Sequence, residues 1–294
     1  MKKQLLEERA RLNFSKDTYK LDEINKQLKP YEDQYLQDLL DIAMKELRKK
    51  AFPYSRYPFM YHEIKIVWAD MERDRVAGYV QLEDLMNDEV VIYINDKYLY
   101  RYDRCPNELT TSNRRVMQRS INKNLISIIK HEIIHAFVYF KYDSIMFKDV
   151  MLGFFHDSSP IFMAYLLWLN PEETNGYDCF EEFKKTDFYE KVMSCKNFDE
   201  VMTLCIFKAQ TLAKEVRLHS TFKDNNKIIQ ILPSFSYTGK WNEDMVLRRK
   251  MENTIDGVET KLYFVELNNL CDKDYKHQIK FLLEDEGYII SLVS

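Results

Sequence analysis

The 294 residues are 46 % hydrophobic and 31 % charged, with a formal net charge of −4. That balance suits a globular chain with a sizeable core, long enough for two domains, and excludes a disordered or collagen-like one. Gly is scarce at 6 and Pro at 7, so flexible linkers are not expected, and the acidic balance gives no global electrostatic footprint for nucleic acid.

The N-terminal stretch MKKQLLEERARLNFSK has basic residues but no apolar run, so it does not read as a secretory signal. The longest strongly apolar run, IFMAYLLWL at 161–169, is too short to span a bilayer. Five cysteines (Cys105, Cys179, Cys195, Cys205, Cys271) are widely spaced, with no C-x-x-C pair. They read as reduced thiols of a cytoplasmic protein with no membrane partner.

In chain order, residues 1–50 read as helical. Tyr35, Leu39, Ile42, Ala43 and Leu47 recur roughly along one face. The two prolines of FPYSRYPF (52–59) end that helix. HEIKIVWA (62–69), VAGYVQLE (76–83) and DEVVIYIND (88–96) then read as three strands of a small sheet. A long helix follows over about 113–141, with Thr111, Ser112 or Asn113 as N-cap candidates. Arg114, Arg115, Arg119 and Lys123 cluster on it, as a solvated face or a local nucleic-acid contact.

A second helix starts near 159, capped by Ser158 or Ser159 with Pro160 in its first turn, and stops before Pro171. Beyond about 172 come two or three more helices, then short strands: NKIIQILPSFSY, MVLRRKMEN, KLYFVELNN, HQIKFLLED and YIISLVS. TIDGVE and EDEG are plausible hairpin turns, which suggests a separate antiparallel unit. The expected organisation is an N-terminal helical region 1–55, a central α+β domain 56–172, and a C-terminal helical then antiparallel-β region 173–294.

The chemistry concentrates in SIIKHEIIHAFVYF, where His131, Glu132 and His135 form H-E-x-x-H, in a chain with only six histidines. Residues four apart lie on one helix face, so both imidazoles can reach one zinc ion. Glu132 sits about a hundred degrees round, placed for a general base rather than a ligand. A catalytic zinc needs a third protein ligand and an open position. His156, 21 residues past His135 and just before the helix from 159, is the best placed, with Asp157 beside it as a supporting or capping residue. Glu172 and Glu173 are the alternatives. His62-Glu63 is a decoy without a second histidine, and His219 and His277 read as ordinary histidines.

Residues 60–170 resemble the SprT-like zinc metallopeptidases. KIVWADMERDRVAGYV, VVIYINDKYLY, HEIIHAFVYF and HDSSPIF occur in the order of that family's sheet, H-E-x-x-H helix and third-histidine motif. The resemblance implies a zincin-like domain with one Zn2+ per chain on His131, His135 and His156, and Glu132 as catalytic base. The chain departs from the pattern at Asp157, where the family usually has Gly. The Phe is displaced to Phe162, the interval between second and third histidine is longer, and a zinc ribbon is lacking.

The expected function is therefore zinc-dependent hydrolysis of peptide bonds in a protein or peptide substrate, which a strand such as 90–95 would hold by β-addition. The rival is a non-catalytic zinc-containing module that binds protein or nucleic acid through its C-terminal region.

Overall fold

The computed structural model describes residues 1–12, 16–71, 76–99, 111–143, 154, 155, 157, 159–174 and 178–219, and strand segments at 221–224, 227–235, 249–255 and 258–267. Side chains are described through residue 211, apart from 111–118 and a few isolated positions. The fold is α+β and mostly helical, with a small three-stranded sheet in its first half. The chain divides into two compact units, Met1–Ile133 and Ile134–Ser294.

The first unit opens with α1 (Lys2–Arg11) and the 34-residue α2 (Thr18–Ala51). Leu21, Ile24, Leu28, Leu36, Leu39, Leu40, Ala43 and Leu47 are buried at the three- and four-residue spacing of one helix face. The stripe passes through Leu36 and Leu40 and leaves Ile42, expected inside it, 42 % exposed. Pro30 lies inside α2, where it has no N–H to donate to the Lys26 carbonyl. Beside it opens a cleft of about 860 Å³, lined among others by Lys26, Pro30, Glu32, Ile66 and Trp68. No H-E-x-x-H residue lines that cleft. The Trp68 indole donates to the Glu32 carbonyl at 3.1 Å, which ties the first strand to α2.

The sheet contains β1 (Ile64–Ala69), β2 (Gly78–Val80) and β3 (Val90–Asn95), in the order β1-β3-β2. β1 runs parallel to β3 with Ile66 opposite Ile92; β2 runs antiparallel with Tyr79 opposite Tyr93. The three expected strands are all present. The expectation that 90–95 would take up a substrate strand is corrected: β3 is the central strand, paired with β1 along its whole length and with β2 at Ile92–Ile94. That position also explains its near-continuous burial.

A short helix, α3 (Leu82–Met86), precedes β3, and the long helix expected next is α4 (Thr111–Val138). Gly78 is where β2 and α4 approach closely. A Cβ there would lie 3.0 Å from the side chains of both Ile128 and Ile94, which leaves no room for a larger residue. α4 continues as a π-helical turn, Tyr139–Asp143.

In the second unit, α5 (Pro160–Leu169) starts as its sequence predicts. The Ser159 hydroxyl accepts from the Ile161 N–H at 3.2 Å, and Pro160 occupies the first turn. Eight of its ten residues are buried, so α5 is a core helix rather than an amphipathic one. A 3-10 turn (Pro171–Glu173) and helices α6 (Asp178–Phe183), α7 (Asp187–Ser194) and α8 (Phe198–His219) follow. No helix among the described residues is long and apolar enough to cross a membrane.

The last strands are β4 (Thr221–Asp224), β5 (Lys227–Phe235), β6 (Arg249–Ile255) and β7 (Val258–Leu267), in the order β4-β5-β7-β6. This sheet is mixed, not purely antiparallel as expected. β6 and β7 pair as neighbours in sequence, but β7 rather than β6 lies against β5, so β5 and β7 run parallel. The expected strands HQIKFLLED and YIISLVS lie outside the described residues.

Candidate metal centre

The middle of α4 is buried on nearly every side. Leu125, Ile129, Ile133, Ile134, Ala136 and Val138 are wholly inaccessible. Among them, His131 is 6 % exposed and Glu132 5 %. Taking an imidazole and a carboxylate out of water is expensive unless partners or a cation compensate. Two such groups on successive residues of an otherwise apolar stretch therefore stand out.

His135, one turn further on, is held on three sides. Its Nδ1 hydrogen-bonds the Phe155 carbonyl. Its ring stacks on Phe162 of α5, with centroids 4.1 Å apart and planes 9° from parallel. Its Nε2 lies 3.0 Å from Asp157 Oδ1. A carbonyl only accepts, so Nδ1 must carry the proton, and in the neutral ring that leaves a lone pair at Nε2. A lone pair facing a carboxylate oxygen needs a proton or a metal ion between them.

The metal fits. His131, His135 and Asp157 each offer one ligand atom, and these atoms lie within 4.8 Å of one another. Two ligands about 2.0–2.1 Å from a tetrahedral zinc are ~3.3 Å apart, close to the observed Nε2–Oδ1 separation. Two imidazoles and one carboxylate form a donor set that zinc accepts while keeping a fourth position open. With a metal bound, the Phe155 carbonyl would be the outer partner that fixes ring orientation and tautomer.

Of the residues expected at the site, the structure brings His131 and His135 together, with Glu132 beside them on α4. His156 lies outside the described residues. Its neighbour Asp157, read from the sequence as supporting or capping, takes a ligand-like place. Glu172 is exposed and Glu173 accepts from the Asn170 amide; neither belongs to the His131–His135–Asp157 group. His62 pairs with Asp88 at 3.2 Å.

Sequence reasoning did not find the packing behind the site. The hydroxyls of Tyr142 and Tyr165 hydrogen-bond each other within the core, joining the π-helical turn to α5 one turn beyond Phe162. Burial pushes both phenols up, so they remain neutral. Cys205, also fully buried, is pushed up for the same reason and is not a reactive thiolate. Only the spacing of Phe162 and Tyr165 on one helix face hinted at this support. Comparison with protein-family models, with curated proteins and with solved structures finds no match to this chain.

Proposed function

We propose that the protein is a zinc-dependent peptidase with a zincin-like centre on α4. The observation that carries this reading is the buried His131–Glu132–x–x–His135 helix with a carboxylate brought to its second histidine. The motif order shared with SprT-like peptidases supports it as well. His131 and His135 are two ligands and Asp157 is the third that the geometry favours, with His156 the competing third ligand from the motif pattern.

A zinc ion held there would supply acidified water and a polarised carbonyl. Glu132 takes the proton from the attacking water and returns it to the leaving amine. Its burial suits that work, because little bulk water competes for the proton. The stack on Phe162 and the bond to Phe155 hold His135 in one orientation, and the apolar residues around α4 keep water out. The substrate class is a protein or peptide.

The test is metal content by mass spectrometry together with hydrolysis of a casein-type substrate. Wild-type protein should carry one zinc per chain, and His131→Ala should lose it. Glu132→Gln should keep the metal and lose hydrolysis. Asp157→Asn beside His156→Ala identifies the third ligand as the variant that loses zinc. A wild-type protein that takes up no metal when zinc is supplied would sink the reading.

A further inference from the structure

The π-helical turn after α4 is tied to the same segment that approaches His135. Tyr139 and Tyr142 lie four and seven residues beyond that histidine. The Tyr139 ring meets the Phe155 ring edge to face, with centroids 5.7 Å apart and planes at 87°. Tyr142 meets Phe154 in the same way, at 6.5 Å and 84°. All four rings are buried. Perpendicular aromatic pairs attract beyond what burial gives, because the positive edge of one ring faces the negative face of the other.

These contacts run in register. Going back along the helix from Tyr142 through Tyr139 to His135, the partners advance from Phe154 through Phe155 to Asp157. Phe154, Phe155 and Asp157 thus follow the helix in the opposite direction, and the carboxylate arrives at the histidine. Phe155 is caught twice, by its ring on Tyr139 and by its carbonyl on His135 Nδ1. Asp157 is two residues further on. Displacing the two phenylalanine rings therefore displaces both groups that meet His135. Tyr142 is fixed in turn by its hydroxyl bond to Tyr165 of α5, the helix whose Phe162 stacks on the same histidine.

We propose that Tyr139 and Tyr142 are positioning residues of the metal centre, which through Phe155 and Phe154 hold Asp157 and the Phe155 carbonyl in place at His135. This rests on the metal reading of the H-E-x-x-H helix. The rings carry the effect, since the Tyr142 hydroxyl is already taken by Tyr165. A role in the core alone would cost stability and leave a metal as tightly held. A positioning role also costs metal affinity and alters the geometry around the ion.

The test is titration of the chelator-treated full chain with cobalt(II), which accepts the same donors as zinc and reports its coordination geometry in its visible spectrum. Thermal melting runs beside it. Tyr139→Leu and Tyr142→Leu should each weaken cobalt binding by about 10-fold, as for other partners that orient a ligand, and shift the visible bands. Phe154→Leu reads the Tyr142 contact from the other side if Tyr142→Leu does not fold. Tyr142→Phe keeps the ring and loses only the bond to Tyr165, so it should melt lower yet bind cobalt with wild-type affinity and spectrum. Phe183→Leu controls for lost packing: that ring is buried against Phe180, Phe188 and Tyr189, and its loss should lower melting alone. Leucine variants with wild-type cobalt affinity and spectrum, or an equal loss of affinity in Phe183→Leu, would overturn the proposal and leave the metal reading standing. No cobalt uptake by wild-type protein would overturn both.

Discussion

Two regions of this molecule break the usual partition of side chains in opposite directions. In the middle of α4, a histidine and a glutamate are buried among isoleucines. In the loop after α2, three tyrosines stand in solvent while their phenylalanine and methionine neighbours pack inside. Both arrangements are unfavourable for folding alone: the first forfeits hydration of polar groups, and the second leaves aromatic surface in water. A cation at the His131–His135–Asp157 group would offset part of the first.

The sharpest way to break this comparison is at the buried end. Glu132→Gln is expected to lower peptide hydrolysis by about 10²-fold or more while leaving zinc bound. His135→Ala should release the metal altogether. Phe162→Leu keeps an apolar neighbour but removes the flat stack on His135. Zinc affinity, read by competition with a chromogenic chelator, should fall by about 10-fold or more, as for other partners that orient a ligand.

Packing effects come next. Gly78→Ala puts a methyl group against Ile128 and Ile94 and should destabilise the protein by about 1–3 kcal/mol in urea unfolding, the usual range for overpacking. Tyr54→Ala/Tyr57→Ala/Tyr61→Ala should change stability by less than ~0.5 kcal/mol per site, since those rings make no core. A large loss there would mean the loop is a structural element, and the contrast between the two regions would fail.

The smallest effect concerns Lys141 in the π-helical turn. Its ammonium meets Met202 Sδ at 3.1 Å and sits over the Phe137 ring, and desolvation lowers its pKa. A base with a lowered folded-state pKa binds fewer protons folded than unfolded, so the penalty is largest at neutral pH and fades as pH rises toward the ordinary lysine range. Lys141→Met should therefore raise the melting temperature at pH 7, and the gain should shrink as the pH is raised.

Much of this was readable from one dimension. The strands at 64–69, 78–80 and 90–95, the long helix carrying His131 and His135, and the capped start of α5 at Ser159-Pro160 follow local rules of alternation, periodicity and capping. Those rules act within a few residues, and sequence records them directly. Ile42 shows their limit: helical spacing alone does not say where a buried stripe ends.

What the chain determined by itself is the helical half of the candidate site, because two histidines four residues apart share a face whatever surrounds them. Tertiary structure alone decided the other half. Asp157, the Phe155 carbonyl and the Phe162 ring reach His135 from a segment some twenty residues away, and no local rule sets where such a segment returns. The same holds for the sheet order: β3 became the central strand, and β7 rather than β6 settled on β5, because pairing partners are chosen by which edges meet in space. The outward tyrosines belong to that class too. Their spelling in FPYSRYPFMY is visible to any reader, but only the packing of Phe59 and Met60 beneath them turned the rings to solvent.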